Sequence, residues 1–267
     1  MSRSRLALLP SPWDFLGTGR VSKEQDGSMG SVFKRSEFSW EKYFSDKKTG
    51  GHRFSTEEFL AKEANEKLFH LSGGKTLLDF GCGAGELLIY FVPKYEKVVG
   101  ADFSKSMLFE AEKKLLQHKY ENADLILADD KTVWDKLSLQ FDRITATEVV
   151  QYFTPEQLED FIRNASRYLN VDGKIVFFDI IDPRLYYLWK VGWFSQNFIS
   201  WNILARAYSG FVRRTLAFLR NQPGDIVGNS YNPSLIEKIA NGNGFQMEYV
   251  KSMYYEYRYH VILSKNA

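Results

Sequence analysis

Glycine recurs at alternate positions, Gly81, Gly83 and Gly85, where an apolar run and one acid end in the stretch LLDFGCGAGE (77–86). Inside a helix or strand each would cost about 0.5–1 kcal/mol relative to Ala, so the pattern marks a loop whose backbone must come close to something. A loop for a nicotinamide dinucleotide would read G-x-G-x-x-G and set the pyrophosphate on a helix N-terminus. Here the spacing is G-x-G-x-G, and Glu86 follows at the expected start of a helix, where its charge would compete with a phosphate for the positive end. The loop fits a ligand without phosphate. Asp102 closes a second apolar run 17 residues beyond Gly85 and is placed to accept hydrogen bonds from two ribose hydroxyls. Glu148, Tyr152, Asp179 and Asp182 fall at the ends of later apolar runs, where a substrate could be held or deprotonated. The one cysteine, Cys82, and the histidines standing singly at His52, His70, His118 and His260 offer no metal-ligand spacing, so no metal site is inferred.

The elements that must position these groups alternate in type. Ser55-Thr56-Glu57-Glu58 fits a capping box, and Phe59, Leu60, Ala64, Leu68 and Phe69 recur at helical spacing, which predicts a helix over 56–70 with that apolar face inward. TLLDF (76–80) reads as a first strand, ELLIYF (86–91) as a helix closed by Pro93, and KVVGAD (97–102) as a second strand. Ser104 can cap a helix bearing Met107, Leu108, Ala111 and Leu115, before a third strand, ADLILAD (123–129), and a fourth, FDRITAT (141–147). Thr154-Pro155-Glu156-Gln157 is a second capping box, and Asp172-Gly173 turns the chain into KIVFFDI (174–180), the fifth strand. Beyond a helix capped by Asn232-Pro233, the runs FQMEYV (245–250) and MYYEYRYHVIL (253–263) form a hairpin that adds one antiparallel strand. Such alternation implies an α/β chain with a parallel sheet covered by helices on both faces.

At 267 residues and 44% hydrophobic composition the chain can bury a full core. Lys and Arg total 35 against 33 Asp and Glu, so a net charge of +2 gives no sign of nucleic-acid binding. One cysteine excludes an internal disulfide and fits the cytoplasm. The N-terminal LALL is too short for a signal-peptide core, and no run of some 18 apolar residues suggests a membrane span. Residues 1–35, rich in Ser, Gly and charge, read as a mobile arm or appended remnant, and 36–267 as a single domain.

Taken in order, LLDFGCGAGE, VVGADFS, ILADD, FDRITATEVVQYF and YLNVDGKIVFFD resemble the motifs of class I S-adenosylmethionine-dependent methyltransferases over roughly 75–180, nearer the small-molecule and lipid types than the DNA-modifying ones. The resemblance implies a Rossmann-like seven-stranded sheet and S-adenosyl-L-methionine as cofactor. It puts Asp79 beneath the loop as an orienting carboxylate, and Gly81, Cys82, Gly83 and Gly85 against the methionine moiety. Asp102 then binds the ribose, Phe103 lies beside the adenine, Asp129 accepts from the adenine amino group, and the Asp130 amide meets a ring nitrogen. Ala146 and Thr147 line the methionine end. At 152, where many relatives have His, this chain has Tyr152.

A sulfonium methyl is already activated, so the reaction implied asks mainly for alignment and exclusion of water. Tyr152 and Glu148 are the candidate catalytic residues, Tyr152 as a positioning group because an ordinary Tyr pKa near 10 suits a base poorly. Residues 185–229 form an aromatic, helical insertion in which Trp189, Trp193, Phe194, Phe198, Trp201, Ala205, Tyr208 and Val212 recur at three or four residues among Arg side chains. It is expected to be a lid over a small-molecule or lipid-like methyl acceptor. The same aromatics also fit packing on the core or on a second subunit of a homodimer, or peripheral contact with a membrane. A catalytically inactive scaffold or sensor that only binds the cofactor is the alternative reading.

Overall fold

The computed structural model describes residues 56–190 and 229–266. The expected arm over 1–35 and the lid positions from 191 to 228 lie outside them. A first helix, α1 (Glu57–His70), leads into β1 (Thr76–Phe80), a short helix α2 (Leu88–Phe91), β2 (Lys97–Asp102), α3 (Lys105–Gln117), β3 (Ala123–Leu127) and β4 (Phe141–Thr147). Then come α4 (Pro155–Arg167), β5 (Leu169–Ile181), α5 (Pro183–Lys190), α6 (Pro233–Gly242), β6 (Phe245–Lys251) and β7 (Arg258–Lys265).

The seven strands lie in the order β3-β2-β1-β4-β5-β7-β6, and β7 runs antiparallel to both its neighbours. The direction of strand addition reverses between β1 and β4, and there the loops at the carboxyl ends part and leave a crevice for a ligand. Strands buried on both faces send alternate side chains to two separate cores. Leu78, Val99, Ile144 and Phe177 join the core under α4 and α6, while Leu77, Val98, Val176 and Phe178 join the one under α1, α2 and α3. Two helix starts follow the expected caps, Ser104 accepting from the Met107 amide and Thr154 with Gln157 closing a reciprocal capping box, whereas α1 is capped one residue later than the Ser55 box implied, by Thr56 accepting from the Phe59 amide.

Four boundaries differ from the sequence reading. Helix α2 begins at Leu88 rather than Glu86, and Pro93 sits inside a 3₁₀ turn, Val92–Lys94, instead of ending the helix outright. The third strand stops at Leu127, because Asp129 folds the chain into a turn through its own side chain. Strand β5 begins at Leu169, five residues early, since Leu169 already pairs with Phe141 before a register shift. The last run does not become strand until Arg258: the Ser252 hydroxyl accepts from the amides of Tyr254 and Tyr255, and that local turn prevails over the β preference of the tyrosines.

The largest departure is in α1. Its buried residues are Glu63, Ala64, Glu66 and Lys67, whereas Phe69 is 76% exposed. The helix faces the sheet with charge.

Candidate active site

The glycine loop is latched to the end of β2. Gly81 and Cys82 both donate their amides to the Ala101 carbonyl, at 2.7 and 3.1 Å, and Gly83 donates to Asp102 Oδ2 at 2.9 Å. The other oxygen, Asp102 Oδ1, accepts from the Ser104 amide at 2.8 Å. Asp102 is thereby fixed as a buried acceptor. The three glycines do different things. All have left-handed φ (74°, 56° and 77°), yet a Cβ on Gly81 would lie 2.3 Å from Val149 Cγ2 and one on Gly85 3.1 Å from Ala111 Cβ, whereas one on Gly83 would meet nothing within 4 Å. Two of them make room for the protein's own β4 turn and α3. Gly83 alone faces open space.

Around this latch the other expected residues fall as follows. Asp79 is buried near the end of β1, between Gly100 and Thr145 in register. Cys82 turns its sulfur into the core beneath Gly100, and burial, then the charges of Asp102 and Asp79, push its thiol well above the usual range. Its side chain is a packing group, and only its backbone belongs to the loop. Phe103 remains 44% exposed beside Asp102. Asp129 Oδ1 accepts from the Thr132 hydroxyl and from the Thr132 and Lys131 amides, which hold its carboxyl below the ordinary value. Asp130 is pushed the opposite way by burial and then by Asp129. Glu86 lies in the turn before α2, and its carboxylate meets Lys114 Nζ at 3.2 Å. The expected contest between Glu86 and a ligand for a helix N-terminus is therefore not set up here.

A second group of polar side chains gathers at the carboxyl ends of β4 and β5. Glu148 and Asp179 sit side by side there, and both non-glycine residues hold a left-handed φ of 59°. Such backbone costs about 1–3 kcal/mol and persists where the surroundings enforce it. Arg258 Nη1 meets Glu148 Oε2 at 3.1 Å, and Lys67 Nζ meets Asp179 Oδ2 at 2.8 Å and Glu63 Oε1 at 3.0 Å. His260 Nδ1 accepts from the Asp179 amide at 3.1 Å, which leaves the ring proton on Nε2, facing Glu66 Oε1 at 3.1 Å. The Met253 amide donates to the same Glu66 oxygen at 2.6 Å. Burial alone would raise the Asp179 carboxyl, but the Lys67 ammonium first, and the Arg258 guanidinium, outweigh it and hold it at about 2. Glu66 follows the same pattern, burial being overcome by the His260 bond and the Met253 amide.

One oxygen from each of Glu63, Glu148 and Asp179 lies within 4.8 Å of the others, a spacing that could hold a cation. The Lys67 ammonium meets Glu63 and Asp179 there, and the Arg258 guanidinium meets Glu148. Asp182 caps α5, accepting from the Arg184 amide and guanidinium. Tyr152 lies in a 3₁₀ turn, Val150–Tyr152, beyond β4. Tyr254 and Tyr255 pack edge-on against Phe59, with Arg258 over the Tyr255 ring. The sequence reading missed Glu63, Glu66, Lys67 and Arg258, and took His260 as solitary. The i, i+3, i+4 spacing of Glu63, Glu66 and Lys67 around the buried Ala64 was the available sign.

The fit of a nucleoside cofactor can be judged from the site itself. Open space over Gly83 and the Thr147 Oγ1, buried at the end of β4 with no hydrogen-bond partner among the described residues, both suit a ligand that fills the first and satisfies the second. No helix among the described residues is long and apolar enough to cross a membrane.

Comparison with known proteins bears on the same stretch. The methyltransferase domain family matches residues 77–173. The chain is similar to (S)-tetrahydroprotoberberine N-methyltransferase of Eschscholzia californica, 31% identical over 57% of this chain and 41% of that one. It is also similar to cyclopropane mycolic acid synthase 3 of Mycobacterium tuberculosis, 29% identical over 43% and 39%. It thus spans about two fifths of the length of these relatives. Among solved structures, magnesium protoporphyrin IX methyltransferase from Synechocystis, with bound SAM, shares the fold at a TM-score of 0.54 and 13% identity, over 87% of this chain and 100% of that one.

Proposed function

We propose that the chain, whose residues 77–173 match the methyltransferase domain family, binds S-adenosyl-L-methionine at the Gly81–Gly85 loop and methylates an oxygen or nitrogen of a small-molecule or lipid-like acceptor. The observation that carries this reading is the latch: Asp102 accepts from the Gly83 and Ser104 amides, so one carboxylate both shapes the loop and stands where a ribose diol would bind. When bound, the cofactor supplies a methyl group already activated on a sulfonium.

The protein's own work is then to bind, orient and keep water out. Gly83 leaves space for the methionine moiety, Asp79 orients it through the buried end of β1, and Thr147 offers its hydroxyl. Phe103 covers the adenine, while Asp129 and the Asp130 amide meet its edge. Glu148, engaged by Arg258, serves better to orient an acceptor than to take its proton, and Tyr152 positions the acceptor by hydrogen bonding. The relatives' names, an alkaloid N-methyltransferase and a mycolic acid synthase, support an acceptor of small-molecule or lipid type.

The test is tritium transfer from S-[methyl-³H]adenosylmethionine into a deproteinised extract of the source organism, with cofactor binding followed by calorimetry. Binding with transfer is expected. Binding without transfer would favour the inactive scaffold, and absence of binding would overturn the reading.

A further inference from the structure

The turn after β4 buries a second oxygen with no hydrogen-bond partner among the described residues, Oε1 of Gln151. Leaving such a group unmet costs about 1–3 kcal/mol, so its presence calls for a reason. Nothing in the cofactor reading uses it. Gln151 is 5% exposed; two residues before it Val149 packs against Gly81, whereas the Gln151 carbonyl accepts from the Asn229 amide at 2.6 Å. Asn229 in turn donates its side-chain amide to the Phe153 carbonyl at 2.8 Å. Asn229 is the first described residue after positions 191–228, so Gln151 sits on the side where the insertion joins the fold.

We propose that Gln151 is an acceptor-binding residue, its side-chain oxygen taking a hydrogen bond from an N–H or O–H group of the methyl acceptor. The proposal rests on the methyltransferase reading above. A carboxamide oxygen can only accept, and being neutral it removes no proton. It selects the acceptor instead: a molecule bringing an apolar group to this position leaves the oxygen unmet, and sites built to meet a donor reject analogues lacking one.

Two variants test it, Gln151→Leu and Gln151→Glu, each measured for melting temperature, S-adenosylmethionine affinity, and tritium transfer into the extract. With an unmet oxygen removed, Gln151→Leu is expected to melt no lower than wild type and to bind the cofactor within threefold, yet to transfer at least tenfold less label. Gln151→Glu keeps an accepting oxygen and should recover part of the transfer. A melting temperature lower by more than a few degrees in Gln151→Leu would show that the oxygen serves the fold. A tenfold loss of cofactor affinity would give the contact to the cofactor, and unchanged transfer would remove any role in acceptor binding; each overturns the proposal. If wild type transfers no label, the methyltransferase reading itself fails, while the melting temperature of Gln151→Leu still decides whether the buried oxygen is unmet.

Discussion

The two halves of the candidate site are built by different means. At the ends of β1, β2 and β3 the partners are near in sequence: Gly83 and Asp102 are 19 positions apart, and Asp129 bonds to residues two and three positions on. At the ends of β4 and β5 the groups come from α1 and β7, with Glu66 and His260 194 positions apart. The first half uses backbone amides and missing side chains. The second uses four carboxylates, Glu63, Glu66, Glu148 and Asp179, set among Lys67, Arg258 and His260 in a largely buried network. Backbone latches are cheap to satisfy and leave a signature in the chain. Buried charges are costly to desolvate, depend on every partner being present, and leave little signature.

This contrast can be broken most forcefully at Lys67. Lys67→Met removes the ammonium that Glu63 and Asp179 share while both carboxylates stay buried, a loss of about 3–5 kcal/mol. At roughly 2–4 °C per kcal/mol for a domain of this size, the melting temperature should fall by on the order of 10 °C. A fall under two degrees would mean that the network contributes little to folding. Asp102→Ala should act on the other half, weakening S-adenosylmethionine binding about a hundredfold or more by calorimetry, since charge-assisted bonds contribute about 1.5–3 kcal/mol each. Its melting temperature should drop less than that of Lys67→Met.

Acid should separate the halves without mutation. The Asp179 carboxyl titrates at about 2 in the folded chain and near its ordinary value of 3.8 when unfolded, so its contribution is present above about pH 4 and is lost as the pH falls towards 2. The loss is about 2 kcal/mol, and the acid limb of a melting-temperature profile should flatten in Asp179→Asn. The smallest effect is expected from Gly83→Ala, where a Cβ meets no atom and only the left-handed φ costs about 1 kcal/mol. Gly81→Ala adds a clash with Val149 and should lower the melting temperature clearly more, whereas Gly83→Ala should show its main effect on cofactor affinity.

Much of the fold could be read from periodicity and caps, because each strand and helix from β1 to α4 carries its own local signals. The glycine loop and Asp102 were legible for the same reason. Helix α1 was legible as a helix, and Ala64 and Leu68 of its apolar face do pack on the core, but the burial of Glu63, Glu66 and Lys67 was not legible, because partners that reward it lie on β5 and β7, beyond any local window. Ser252 is a smaller case, where one hydroxyl bonding to two amides delays β7 to Arg258 against a run of β-favouring tyrosines. Gln151 had no signal at all, since an unmet oxygen is defined only by what fails to surround it.

The position of β7 has a consequence for how the molecule comes into being. Of the described strands it is the last to be synthesised, yet it lies inside the sheet, between β5 and β6, and brings Arg258 and His260 with it. Until it inserts, β5 and β6 both present an open edge, and Glu148, Asp179 and Glu66 lack those two partners. Pairings of such long range close slowly, and unpaired edges invite association with other chains. The glycine-loop half could be organised while the ribosome is still extending the chain, but the charged half must wait for the final strand, which makes completion of the sheet and completion of the site a single kinetic event.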